Sequence, residues 1–191
     1  MSPYGTNALA YTQKDQSHIL PIHMELKNST KVILNRVVEE EQKVQIQSLL
    51  NKVLEEGNTY PQYGPMSFVE FEAYYLSHDA YILSTIDGQF VGSVYIKPNF
   101  PGRASHICNG GFLIHEDFRN LGAGKLLSSQ FEILAKDLGY TGIFFNLVFV
   151  TNIASIKIWT SLGYNRIGII PKAANLKDFG LTDAIQFHKE I

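Results

Sequence analysis

The stretch Arg119-Asn120-Leu121-Gly122-Ala123-Gly124-Lys125 carries the chain's clearest chemical signal. It joins a short apolar run to a segment with helical spacing. Gly122 and Gly124 let the backbone take conformations that other residues resist, and let a ligand approach closely. A helix that follows such a loop turns its unpaired N–H groups and the positive end of its dipole toward it. Arg119 and Lys125 add charge. Together these features make an anion site suited to a diphosphate. A glycine-rich turn without a ligand is the plain alternative for a lone glycine pair. Other phosphate motifs fit poorly. A Walker A loop needs glycine five residues before Gly124 and Ser or Thr after Lys125, where the chain has Arg119 and Leu126. A dinucleotide fingerprint needs a third glycine where the chain has Leu127.

Two amides stand out next. Asn146 interrupts the apolar run Gly142–Val150. Asparagine is disfavoured in strands, and a buried unpaired amide costs about 1–3 kcal/mol. A ligand contact explains it; so does a structural amide bonded to loop backbone. Asn109 would lie on the adjacent strand, and two converging amides can bind a small carboxylate without adding net charge. His106 and Glu116 are the candidates for acid–base work, although a solvated His or Glu beside a loop is commoner. Cys108 reads as a structural thiol in a strand rather than a nucleophile.

The elements that must position these residues follow from spacing and caps. Met1–Asp15 is polar and turn-rich, a loose or partner-docked arm. His18–Leu26 and Lys31–Val38 read as strands. Glu39–Glu56 reads as a helix stopped by Gly57. Ser67 with Glu70 makes a capping box for a second helix to about Leu76. Ala80–Ile86 and Phe90–Ile96 flank Asp87-Gly88, a hairpin signal. His106–Ile114 is a third strand of this run, and Asn109-Gly110-Gly111 within it marks a bulge; a two-residue hairpin turn at Asn109-Gly110 is the rival reading. Lys125–Leu138 is a helix. Gly142–Val150 is a strand buried on both faces. Asn152–Leu162 is a helix stopped at Gly163. Arg166–Ile170 and Ala184–Lys189 are closing strands. The expectation is an N-terminal arm or strand over 1–30 and one α+β domain over 31–191.

The composition sets outer bounds. The chain has 191 residues, 45% apolar and 18% charged, with a formal charge of −2. A core is expected, and general attraction to nucleic acid or anionic membranes is not. One cysteine excludes an intramolecular disulfide, and a reducing compartment follows as the expectation. No apolar run approaches the roughly 20 residues that span a bilayer, and no secretion signal or transit peptide is evident. The expected location is the cytoplasm. The apolar C-terminal strand and the N-terminal segment could support a homodimer.

Arg119-x-x-Gly122-x-Gly124 resembles the acyl-CoA signature of the GNAT acetyltransferase superfamily. Asn152, Ser155, Trp159, Gly163 and Tyr164 match the family's later pattern. The resemblance implies the GNAT fold: a mixed, mostly antiparallel central sheet with a splayed parallel strand pair and helices on both faces. It implies acetyl-CoA as cosubstrate and no metal. Phe112, Leu113 and Ile114 would hold the pantetheine through their backbone. The loop Arg119, Asn120, Leu121, Gly122, Ala123, Gly124 and Lys125 would hold the pyrophosphate. Asn152 and Ser155 would complete the cofactor site.

Blocks across Gly57–Ala173 are more specific. Gly57-Asn-Thr-Tyr-Pro-Gln62, Tyr95-Ile-Lys-Pro-Asn99, the run Ser105–Phe112 and Phe145–Asn152 resemble the fungal L-azetidine-2-carboxylate acetyltransferases. These acetylate toxic proline analogues on the ring nitrogen. The resemblance implies that Asn109 and Asn146 act in catalysis and bind a small amino-acid substrate, with Tyr60 and Phe112 also lining its site. The Thr59-Tyr60-Pro61 loop would close over the pocket, or serve as a packed anchor. Backbone N–H groups near Phe112–Leu113 could polarise the thioester carbonyl. Trp159 departs from the tyrosine with which many GNAT enzymes protonate the thiolate, and the closer fungal family shares that tryptophan. Another small amine as acceptor, or a non-catalytic acetyl-CoA-binding module, are the competing functions.

Overall fold

The structure is a computed structural model, and it describes residues 11–191. In chain order the elements are β1 (Ile22–Glu25), β2 (Lys31–Arg36), α1 (Glu40–Glu56), α2 (Phe68–Tyr75), β3 (Asp79–Thr85), β4 (Phe90–Pro98), β5 (Ile107–Ile114), α3 (Ala123–Leu138), β6 (Gly142–Phe149), α4 (Ile153–Ser161), β7 (Asn165–Leu176) and β8 (Gly180–Glu190). The helix ends obey local chemistry. Gly57 closes α1 in the left-handed region at φ 68°, and its N–H reaches Val53 O. Ser67 and Glu70 form the reciprocal capping box that starts α2.

The strands form one sheet in the order β1-β2-β3-β4-β5-β6-β8-β7. Every neighbouring pair is antiparallel except β5 and β6. Side-chain alternation sends Tyr81, Val94, Ile96 and Cys108 into one core with Phe131 and Leu134 of α3 and Trp159 of α4. It sends Ala80, Tyr95 and Leu113 into a second core with Leu50 and Leu54 of α1 and Phe71 and Tyr75 of α2. Helices therefore cover both faces, as expected of a GNAT fold.

Three expectations are corrected. The register of β4 against β5 runs unbroken from Gly92↔Ile114 to Pro98↔Cys108, so Asn109-Gly110-Gly111 is not a bulge. Glycine is needed there for packing. A Cβ at Gly110 would enter the Phe131 ring, and one at Gly111 would lie 2.5 Å from Tyr95 Cε1. The closing strands are also longer than expected. The first was expected to end at Ile170, but β7 runs on through Pro171 to Leu176; the β7–β8 register shifts between Ile170 and Ala174, and Lys172 N–H donates to Asp183 Oδ1 at 2.8 Å.

The N-terminal segment is the third correction. The chain turns over residues 17–19, with Ile19 and Leu20 N–H both donating to Gln16 O, and the strand is confined to Ile22–Glu25. The described part of the arm is docked on its own chain. Gln16 is buried and accepts from Arg36 Nη2 at 2.7 Å, while the Tyr11 hydroxyl and Arg36 both reach the fully buried Asp79 carboxylate. Residues 1–10 of the expected arm lie outside the described residues.

Candidate active site

Parallel pairing between β5 and β6 is limited to Ile107↔Gly142 and Cys108↔Ile143, although both strands run on for six more residues. The cause of the parting lies in β6. Its register against β8 shifts between Phe145 and Val148, which puts a bulge at Asn146-Leu147. The bulge bends β6 away from β5.

The gap exposes backbone of known parity. His115 N–H donates to Val91 O and Asn99 N–H donates to Ile107 O, so odd-numbered residues of β5 turn their polar groups toward β4. Gly110, Phe112 and Ile114 therefore face the gap, and Leu113 faces β4. Asn109 Oδ1 takes the Gly110 N–H at 2.8 Å, and Arg119 Nε donates to Ile114 O at 3.4 Å. The Phe112 ring lies on the α3 side among Phe131, Phe145 and Trp159, so Phe112 offers the gap its backbone.

Side chains on the α1–α2 face meet where the strands part. Asn109 Nδ2 donates to Asn146 Oδ1 at 3.2 Å and to Asn99 Oδ1 at 3.0 Å. Aromatic residues occupy neighbouring positions on β4, on β6 and in the loop after β4. Phe144 stacks on Phe100, and the Tyr74 and Tyr95 hydroxyls lie 3.0 Å apart. Tyr60 donates to Phe112 O at 3.4 Å, and its hydroxyl would lie 2.6 Å from a Cβ at Gly111. Burial raises the Tyr60 phenol well above its ordinary pKa, so it stays protonated and remains a donor.

The loop that carries Tyr60 is pinned from outside. Lys177 N–H donates to Gly57 O at 3.0 Å, Asn58 Nδ2 to Asp178 Oδ2 at 2.6 Å, and Asp178 N–H to Asn58 Oδ1 at 3.2 Å. The tip of the β7–β8 hairpin thus holds the start of the 57–66 loop against the body.

At the other end of the gap, Asn120 and Gly122 take φ of 65° and 88° and turn the chain into α3. The first helical hydrogen bond runs from Leu126 N–H to Gly122 O, which leaves the N–H groups of Ala123, Gly124 and Lys125 without acceptors inside the helix. Such a cradle fits a diphosphate. Lys27 N–H holds Leu121 O at 3.1 Å, and the Lys27 side chain passes 3.2 Å from where a Cβ at Gly122 would stand. Arg119 is tied back toward Glu56 at 3.6 Å, and Lys125 is exposed.

Asn152 caps α4, with Oδ1 accepting from Ser155 N–H at 3.1 Å and Nδ2 left over. Trp159 is a core residue, its ring centroid 4.1 Å from that of Phe145. Glu116 pairs with Lys52 in solvent, and that bond lowers its pKa, so it is a poor proton acceptor. His106 is exposed before β5, at the closed end of the strand pair. Burial pushes the Cys108 thiol up to about 12, which fits a structural role. Among the described residues, no group of three or more His, Cys, Asp and Glu side chains could hold a metal.

Sequence reasoning gave no site role to Asn99, Lys97, Tyr74, Tyr95, Gln62 and Lys27, although Gln62, Tyr95, Lys97 and Asn99 lie in the blocks that carry the closer resemblance. The β4–β5 ladder, which pairs Lys97 with Asn109 and ends on Asn99 N–H donating to Ile107 O, is what brings the first two beside Asn109.

Comparison with known proteins agrees with this geometry. The acetyltransferase (GNAT) family matches residues 46–164. N-acetyltransferase aca1 of Schizosaccharomyces pombe is 36% identical over a 159-residue match that covers 73% of this chain and 76% of that protein. A GCN5-related N-acetyltransferase from Kribbella flavida superposes with a TM-score of 0.79 at 23% identity, covering 84% of this chain and 98% of the other. A phosphinothricin acetyltransferase of the GNAT superfamily from Sinorhizobium meliloti, solved with acetyl-CoA, superposes with a TM-score of 0.74 at 16% identity over 84% of this chain and 88% of the other. The family match over more than half of the chain and the 36% identity to aca1, on a sheet with these parted strands, make this chain a member of the acetyltransferase (GNAT) family.

Proposed function

We propose that this acetyltransferase moves the acetyl group of acetyl-CoA to the ring nitrogen of L-azetidine-2-carboxylate and related proline analogues, and so detoxifies them. The observation that carries the reading is the Asn109–Asn146 amide pair at the parting of β5 and β6. The two amides are small, polar and themselves uncharged. No Asp or Glu is among the hydrogen-bond partners of Asn99, Asn109 or Asn146, which argues against a polycationic acceptor.

In this reading the N–H groups of Ala123, Gly124 and Lys125 hold the pyrophosphate, with Arg119, Asn120, Leu121 and Gly122 shaping the loop and Lys27 covering it. Backbone groups of Phe112 and Ile114 hold the pantetheine in the gap, where it takes the place of the missing strand pairing. The Phe112 N–H faces the gap and is the donor suited to a thioester oxygen. Leu113 contributes by locking β5 to β4. Asn152 Nδ2 is free for the pantetheine arm, and Ser155 fixes the Asn152 amide. Acetyl-CoA supplies the activated acyl group; the chain holds it and the amine in one geometry. Asn109 and Asn146 orient the acceptor, and Tyr60 closes the pocket over it.

Thiol release from acetyl-CoA tests the proposal. Release with L-azetidine-2-carboxylate, and little with polyamines or peptide amines, is expected. Release only with a polyamine or a peptide amine moves the substrate to that class. Tight acetyl-CoA binding without turnover of any amine makes the chain a binding module and ends the proposal.

A further inference from the structure

Lys97 is a cation without an anion. It stands directly across from Asn109 in the β4–β5 ladder and on the same face of the sheet. Its Nζ donates to Tyr74 O at 2.8 Å and lies 4.2 Å from the Tyr74 ring centroid and 4.5 Å from that of Tyr95. No carboxylate among the described residues pairs with it. The other partly buried Lys and Arg side chains among the described residues are matched: Arg36 has Asp79, Lys43 has Glu40 and Glu72, and Lys189 has Glu132.

The ionisable side chains that Lys97 touches bring no negative charge. Burial raises the pKa of Tyr74 and Tyr95, which keeps both phenols protonated. Burial first and Lys97 second lower the pKa of His78, while Asp79 beside it, already paired with Arg36 and Tyr11, acts the other way. Burial also brings the Lys97 ammonium down to about 8, the cost of a charge without a partner. A methionine would fill the same aromatic slot without that cost, so packing alone does not account for lysine here. A second atom beside Tyr74 is also unmatched. The Gln62 amide lies against the Tyr74 hydroxyl, and Gln62 Oε1 is buried without a donor. Across the β4–β5 ladder from Asn109, the structure thus holds a cation lacking an anion and, beside the same tyrosine, an acceptor lacking an N–H. An amino acid carries both complements.

We propose that Lys97 receives the carboxylate of the acyl acceptor, which restricts the reactive amines to those bearing an anionic group beside the nitrogen. The inference rests on the reading above that the acceptor binds at Asn109 and Asn146. It adds the charge that two amides lack. Lys97 is a specificity residue in this account, and no proton transfer is assigned to it.

The test uses acid and ester pairs. L-Azetidine-2-carboxylate and L-proline, each with its methyl ester, are compared on wild type, K97M and K97R. Turnover is read by thiol release, and binding by calorimetry on the CoA-loaded protein. Wild type is expected to prefer the acids. K97M is expected to lower kcat/KM for the acids by about 30-fold or more, through KM, and to change the esters by less than about 3-fold. K97R should recover part of the acid preference. An equal fall for acid and ester overturns the inference, as does a wild-type preference for esters. If the acids bind in a Lys97-dependent way but are not acetylated, the substrate reading fails and the carboxylate site stands. If no acid binds the CoA-loaded protein, the carboxylate site fails whatever amine is turned over.

Discussion

Asn109 Nδ2 donates to Asn146 Oδ1 at 3.2 Å across strands that stopped pairing at Cys108 and Ile143. The bond fixes what each amide has left. Asn109 spends its Nδ2 hydrogens on Asn146 and Asn99 and accepts Gly110 N–H on Oδ1. Asn146 accepts with Oδ1 and keeps both Nδ2 hydrogens. Asn109 is thus the orienting partner and Asn146 the one with donors to offer.

Asn146→Ala should therefore lower kcat/KM for the acceptor by about 10- to 100-fold, the range for one hydrogen bond to a charged group. Asn146→Asp should do worse, because it replaces donors with a like charge facing a carboxylate. Asn109→Ala should weaken the acceptor similarly and also leave Gly110 N–H unpaired, at about 1 kcal/mol of stability. The KM for acetyl-CoA is the internal control. A shift in that KM as large as the acceptor's would remove the amides from substrate recognition.

Much of this arrangement was legible in the chain. Gly57, the Ser67/Glu70 box and Asp87-Gly88 are local devices, and each ends or starts its element where expected. Asn146 could be picked out because an amide in an apolar run breaks a pattern. The bulge could not be placed, because glycine was the wrong marker. Gly110 and Gly111 serve close approach by Phe131, Tyr95 and Tyr60, which are distant in sequence, while the bulge itself sits at Asn146-Leu147 and contains no glycine. Lys97 and Asn99 join the cluster only through cross-strand register and the loop that follows β4, and neither shows in a single strand's periodicity.

The glycine pair gives a stability prediction. A Cβ at Gly110 would overlap the Phe131 ring and lie 2.6 Å from Tyr95 O, and one at Gly111 would lie 2.6 Å from Tyr60 Oη. Gly110→Ala and Gly111→Ala should each cost about 1–3 kcal/mol through overpacking. At roughly 2–4 °C per kcal/mol for a chain of this size, thermal melts should fall by about 2–12 °C. Gly111→Ala should also raise the acceptor KM, because Tyr60 must move. Unchanged melting of both variants would mean that neither approach is close.

Trp159 is stacked in the core against Phe145 and 5.2 Å from the Phe112 centroid, so its role is packing. Trp159→Phe should keep kcat within about 3-fold and leave the pH–rate profile unmoved, while Trp159→Ala should cost about 3–5 kcal/mol of stability. Denaturant melts and a pH series on Trp159→Phe separate the two roles. Loss of the basic limb of the profile in that variant would assign the indole a part in proton transfer.

Lys97 leaves a mark on stability as well as on specificity. Its pKa falls from 10.5 to about 8 on folding, because burial disfavours the charged form. Between those values the unfolded chain holds a proton that the folded chain has released. Stability is therefore gained as pH rises through about 8, and lost again as pH falls back through it. The full slope for one proton is about 1.4 kcal/mol per pH unit, and partial solvent access makes the observed slope smaller. The buried tyrosines act with opposite sign: their folded pKa values are raised, so their contribution declines only above about pH 10, where the unfolded phenols ionise. Urea midpoints of wild type should accordingly climb from about pH 7.5 to 9.5, and those of K97M should start higher at pH 7 and stay flat across that window. Saturating carboxylate ligand should flatten the wild-type curve too, by holding the ammonium charged. Parallel curves for wild type and K97M would show that the Lys97 ammonium is not desolvated in the folded chain.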